Sequence, residues 1–168
     1  MNPALLILRG LFASPGCRAA ATSLACLALP AAARATDYAS AGDVLDAIDR
    51  LEADVDGRLA AIARAIAGAQ PFAGSVAADH ARHRADRHKL RHRLTLPASS
   101  APAPAAAKTP LSLAALREAQ QQLVHAHAEG LPALGDAGAV AMLARHMVDA
   151  SRHLTVIDLW LEAEEQGG

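Results

Sequence analysis

From Ala139 to Leu161 the chain reads AVAMLARHMVDASRHLTVIDLWL. Its apolar residues recur three and four positions apart, which is the spacing of a helix that buries one face. His146 and His153 fall inside the apolar arc, because successive residues turn by about 100° around a helix axis. An imidazole buried without a partner costs free energy, so each ring needs a hydrogen bond, a metal or a cavity. This stretch therefore predicts a helical core that contains polar groups.

The first 35 residues have the order of a cleavable secretory signal peptide: basic residues without acids, an apolar run, and small residues that end in Ala33-Arg34-Ala35. The apolar run, 19–29, is too short to span a bilayer, and an organellar presequence is the alternative interpretation. Cleavage removes Cys17 and Cys26, which excludes disulfides and thiolate metal sites from the mature chain. We expect an exported protein, periplasmic or secreted, with no stable membrane insertion after cleavage.

Residues 36–168 are expected to form one all-α domain. They carry 13 basic residues (16 minus 3) and 17 acidic ones, a net charge of −4 with neutral histidine. That balance gives no electrostatic case for binding nucleic acid. Amphipathic segments are predicted at about 40–67, 73–94, 112–129 and 137–164, with a Pro/Ala-rich linker at 97–110. This order predicts an antiparallel up-down-up-down four-helix bundle.

The helix ends carry local signals. Ser40 and Asp136 are predicted N-caps, and Gly68 is the predicted stop of the first helix. Trp160, the only tryptophan, is expected to pack near the end of the bundle. His88 and His92 point away from the second apolar stripe, among basic residues whose charge opposes cation binding, and are interpreted as a solvated basic face.

Polar side chains interrupt all four apolar faces at similar heights. Glu52, His83, Gln120 and His146 each lie in the apolar arc of a different helix. At about 1.5 Å of rise per residue from the two turns, they fall about 18 to 26 Å down the bundle. A layer of inward polar side chains is where a helical bundle holds an ion.

The fourth helix adds further candidate ligands. The spacing H-x-x-D-x-x-x-H places histidine and carboxylate groups on adjacent turns, as ligands or as a ligand and its orienting carboxylate. The candidate metal-binding residues are Glu52, His83, His146, Asp149 and His153.

This layout resembles the ferritin-like superfamily, whose di-metal sites use Glu from helices one and three and Glu-x-x-His from helices two and four. Glu52 resembles the first carboxylate by position. The pairs Asp79/His83 and His146/Asp149 stand where the two mixed motifs would be. The resemblance covers nearly the whole mature chain in architecture and implies a diverged relative.

The chain departs from the ferritin-like pattern in its motifs. Gln120 occupies the place of the third-helix Glu, neither Glu-x-x-His motif is present as such, and the fourth helix reverses the order of histidine and carboxylate. The di-metal motif is therefore incomplete, and we do not infer ferroxidase activity.

Competing functions remain open. In the structural or interaction hypothesis, a buried His/Glu polar network fixes the helix register without a ligand. This network would loosen when the histidines protonate, at about pH 5 to 6. In the metal-binding reading, the layer holds zinc, copper or iron, and Met142 and Met147 favour copper. A di-metal oxidase is the third reading, although no GxSxG, HExxH, phosphate loop or thiol nucleophile accompanies it. A metal ion and a second copy of the chain are the candidate partners.

Overall fold

The computed structural model describes residues 38–99 and 112–167. These residues form four α-helices: α1 (Ala41–Ala65), α2 (Gln70–Arg93), α3 (Leu113–Gly130) and α4 (Ala137–Gly167). Short 3-10 turns follow α1 and α3, at Ala67–Ala69 and Leu131–Ala133. The described ranges contain no β-strand, which confirms the all-α prediction for them. The predicted signal peptide and most of the predicted linker lie outside the described residues.

Side chains cap three of the helices at their N-termini. Ser40, Ser112 and Asp136 each accept a hydrogen bond from the backbone N–H three residues later, at 3.2, 3.1 and 2.7 Å. Each cap satisfies one of the N–H groups that have no partner within the first turn of a helix. The predicted caps Ser40 and Asp136 are confirmed.

Two predicted boundaries are wrong. α1 ends at Ala65 rather than at about Ala67, and Gly68 is not its stop, because the backbone of Ile66 is already extended, with φ −124° and ψ 99°. α2 begins at Gln70, so Pro71 lies in its first turn instead of in the preceding loop. Proline is tolerated there because its missing N–H has no partner in the first helical turn.

The core lies between the apolar faces of the helices. α1 packs against α2 and α3, and α4 packs against α3 and α2. The fully buried large apolar side chains are Leu45, Ile48, Leu59, Leu116, Leu123, Leu143 and Ile157. Trp160 meets Phe72 edge-on, with ring centroids 5.0 Å apart, beside the first turn of α2. None of the described helices has the combination of length and apolar character that a membrane span requires.

Candidate functional site

A buried ion pair between α1 and α2 lies at the centre of the polar residues. Glu52 is 0% exposed and Arg87 is 1% exposed. Arg87 Nη1 donates to Glu52 Oε1 at 2.9 Å, and Nη2 donates to Oε2. Arg87 Nε also donates to Asp49 Oδ1, at 2.8 Å. The guanidinium therefore meets both oxygens of Glu52 and a second carboxylate beside it.

The protonation state of this pair follows from its hydrogen bonds. Burial alone raises the pKa of Glu52, but hydrogen bonds from His83 and Arg87 outweigh it and hold the pKa well below its usual range. Burial likewise lowers the pKa of Arg87, and the bond to Glu52 reverses that effect, so the pKa is raised. Both groups are charged at neutral pH, and each compensates the other.

His83 connects this ion pair to α4. Its Nδ1 lies 3.2 Å from Glu52 Oε1, and its Nε2 lies 3.2 Å from Asp149 Oδ2. An ionised carboxylate can only accept a hydrogen bond, so each contact requires an N–H on the ring. The two bonds form together only when both ring nitrogens carry a proton.

His146 stacks on His83 and is kept neutral by its surroundings. The ring centroids lie 3.9 Å apart, with 21° between the ring planes. His146 Nε2 lies 3.5 Å from Asp86 Oδ2. Burial, followed by the charges of His83 and Arg87, lowers the pKa of His146 to about 4. The ring is therefore uncharged at pH 7.

Histidines and aspartates alternate along the facing sides of α2 and α4. α2 carries D-x-x-x-H-x-x-D at 79–86, and α4 carries H-x-x-D-x-x-x-H at 146–153. Each histidine meets an aspartate of the other helix, at 3.0, 3.2 and 3.5 Å in the pairs Asp79–His153, His83–Asp149 and Asp86–His146. We call these three pairs the His–Asp ladder. Burial lowers the pKa of His153, although the bond to Asp79 partly opposes that shift.

Two further histidines are buried around the ladder. His80 Nδ1 lies 2.7 Å from Asp56 Oδ1 of α1. His127 Nδ1 donates to the backbone oxygen of Leu123 at 2.8 Å. Burial lowers the pKa of His127 to about 4, so this ring is neutral at pH 7.

The structure brings most of the candidate metal-binding residues together. Glu52, His83, His146 and Asp149 form a continuous chain of contacts, whereas His153 pairs separately with Asp79. Gln120, which the ferritin-like resemblance puts in the place of the third-helix Glu, donates to the backbone oxygen of Ala150 at 2.8 Å. His88 and His92 are exposed on α2, as predicted.

The contacts of these residues do not fit the di-metal centre that the ferritin-like resemblance implies. Arg87 occupies both oxygens of Glu52. The rings of His83 and His146 are nearly parallel, so lone pairs in the ring planes do not converge on one ion. Within residues 38–99 and 112–167, no group of three or more His, Cys, Asp or Glu is arranged to hold a metal. Metal binding by this layer stays a prediction.

Sequence reasoning assigned no role to Arg87 or Asp86. Arg87 lies four residues after His83 on the same face of α2, which is the signal that could have placed it opposite Glu52. Asp86 lies three residues after His83 and is one of the positions that face α4. The reciprocal spacing of His and Asp on α2 and α4 is the sequence signal for the ladder pairs.

Comparison with known proteins adds no further assignment. No protein-family model, curated protein or solved structure matches this chain.

Proposed function

We propose that this chain is an exported protein of structural or interaction type, in which the His–Asp ladder fixes the register of α2 against α4. The proposed export rests on the signal-peptide pattern of the first 35 residues. The main support for the structural role is that His and Asp occur in opposite order in the motifs of α2 and α4. This order puts a histidine opposite an aspartate in each of the three pairs.

The finer architecture in this proposal is an antiparallel up-down-up-down bundle, similar to ferritin-like proteins in arrangement. Contacts between α1 and α2 support it, because residue numbers rise along one helix as they fall along the other in the pairs Asp46–Arg91, Asp49–Arg87 and Asp56–His80. The same trend links α2 and α4, from Phe72–Trp160 through the His–Asp ladder to Arg93–Asp136. It also links α3 and α4, in Arg117–Asp158 and Gln120–Ala150.

The alternation of the ladder explains how it selects one register. If α4 slid by one helical turn, about 5.4 Å, in either direction, His83 would face His146 or His153. The same displacement would bring Asp149 opposite Asp79 or Asp86. Like groups would then oppose each other at a partly buried interface, where unpaired polar and charged groups cost free energy. Polar side chains at helix interfaces specify register in this way in coiled coils.

A reciprocal exchange of one rung tests the proposed role. The variants are Asp79→His, His153→Asp and the double exchange, and their free energies of unfolding form a double-mutant cycle. Each single variant is expected to lose stability because it places like groups opposite each other at a rung where Asp79 and His153 lie 3.0 Å apart in the native structure. The double exchange restores a His–Asp pair, so we expect a favourable coupling energy of about 1 kcal/mol or more.

A matched control separates this coupling from general effects of composition. His88 is exposed on the same helix, so Asp79→His combined with His88→Asp changes the same residue types without forming a rung. This second cycle is expected to be additive. A coupling energy near zero in the first cycle, equal to that of the control, would show that the ladder does not set the register.

A further inference from the structure

An open cavity of about 430 Å³ lies along the seam between α2 and α4. Its volume falls in the range of small-molecule pockets, about 300 to 1,000 Å³. The stacked rings of His83 and His146 form part of its wall. The proposed structural role of the ladder does not use this space.

The charged side chains that line the cavity differ in whether they already have partners within the protein. Its two carboxylates already have partners within the protein: Asp149 lies 3.2 Å from His83 and from Arg152, and Asp86 lies within 3.7 Å of His146 and Lys89. The cations among these partners, Arg152 and Lys89, therefore partly neutralise the two carboxylates before any ligand enters.

The cations around the cavity outnumber its acids. Arg82, Lys89 and Arg145 line it, against the two carboxylates. Arg82 pairs with Asp79, and Lys89 lies 3.7 Å from Asp86. Arg145 is exposed, and its side chain makes no hydrogen bond or ion pair with any other residue in the described ranges. The cavity therefore presents one guanidinium with its hydrogen-bond donors uncommitted.

We propose that this cavity binds a small anion that carries a carboxylate or phosphate group, with Arg145 as its principal contact. A guanidinium presents planar, paired N–H donors that match two oxygens of a carboxylate or phosphate. Lys89 and Arg82 line the same cavity and add positive charge to it. The seam thus serves both helix pairing and ligand binding.

Citrate and inorganic phosphate are the probes, titrated at pH 7 and constant ionic strength while amide chemical shifts are followed by NMR. We expect saturable shifts concentrated at 82–89 and 145–149, with one or both anions. A response to citrate alone assigns a carboxylate ligand, and a response to phosphate alone assigns a phosphate ligand. An absence of saturable shifts with both probes would overturn the proposal.

The matched variants are Arg145→Gln and Arg64→Gln. Arg64 is also exposed, and its side chain makes no hydrogen bond or ion pair among the described residues, but it lies at the end of α1 and does not line the cavity. Arg145→Gln is expected to weaken binding about tenfold or more, which corresponds to about 1.4 kcal/mol, and Arg64→Gln to leave it unchanged. Equal affinities in both variants would refute the assignment of Arg145. The rung exchange is measured without anion, so the ladder and the anion site can fail independently.

Discussion

Replacing Arg87 by methionine is expected to destabilise the protein strongly, because it leaves the Glu52 carboxylate buried without its main counter-charge. Glu52 is 0% exposed, so water cannot take the place of the two hydrogen bonds that the guanidinium donates. His83 remains as a partner at 3.2 Å, but Arg84 approaches Glu52 no closer than 4.0 Å. Removing one member of a buried ion pair costs about 3 to 5 kcal/mol.

The structure also predicts that the two members of the pair are not equivalent. Glu52→Gln leaves Arg87 bonded to Asp49 at 2.8 Å, so its charge keeps a partner. We expect this variant to cost about 1 to 3 kcal/mol, less than Arg87→Met. The double variant is expected to be more stable than Arg87→Met alone, because it contains no buried charge that lacks a partner.

Arg84→Met is the matched control, since it makes the same chemical change one turn earlier on α2. Arg84 is 46% exposed and pairs with Asp56 at 3.0 Å, so its replacement is expected to cost less than about 1 kcal/mol. Urea unfolding at pH 7 measures all four variants, by circular dichroism and by the fluorescence of Trp160. The reasoning is refuted if Arg87→Met and Arg84→Met lose the same stability, or if the double variant is as unstable as Arg87→Met.

Two further predictions concern the pH dependence of stability and the packing of α1 on α3. Burial lowers the pKa of His127 to about 4, below its ordinary value of about 6.5, so the unfolded chain binds this proton more readily. The stability that depends on a neutral His127 is therefore fully present above about pH 6.5 and falls toward pH 4, with about 2 kcal/mol of the free energy of unfolding lost by pH 5. His127→Leu should reduce the pH dependence of urea unfolding between pH 7 and 5, and the part that remains includes the contribution of His146. His88→Leu, on the surface, should not change it, and equal slopes in the two variants would contradict this expectation. A Cβ on Gly130 would clash with Val44 Cγ1, so Gly130→Ala should cost about 1 to 3 kcal/mol and Val44→Ala in the same chain should recover part of it. Thermal unfolding measures these variants together with Gly74→Ala, in which the new Cβ meets nothing within 4 Å and which should not lose stability. A loss in Gly74→Ala as large as that of Gly130→Ala would point to a general cause.

The helices could be predicted because their signals are local. Apolar spacing and the caps Ser40 and Asp136 lie within a few residues of the structure they specify. The errors occurred where the chain turns between helices. Ile66 leaves the helical conformation two residues before Gly68, and Pro71 is accommodated in a first helical turn. At those positions the packing of the next helix decides the backbone, and no local pattern encodes it.

The buried polar residues were also accessible from the sequence, but their partners were not. A helical wheel correctly predicted that Glu52, His83, His146 and His153 face inward. It gives a direction around one axis and no distance to the neighbouring helix. Arg87 shows the consequence, because a long cationic side chain beside an apolar stripe is normally expected to extend into water. Its burial depends on carboxylates of α1, which the sequence of α2 does not reveal.

The order of histidine and carboxylate on α4 can also be interpreted in two ways from the sequence alone. A metal layer and a His–Asp ladder both require inward histidines and carboxylates three and four residues apart, so spacing alone cannot distinguish them. In the pair His146 and Asp149 the histidine precedes the carboxylate, which is the reverse of the order in a Glu-x-x-His motif. Between helices that run in opposite directions, as proposed here, the same order is complementary, since it sets His83 against Asp149 and Asp86 against His146. The charge of the layer supports the second interpretation, because the cation that a buried Glu52 requires is supplied within the chain by the guanidinium of Arg87.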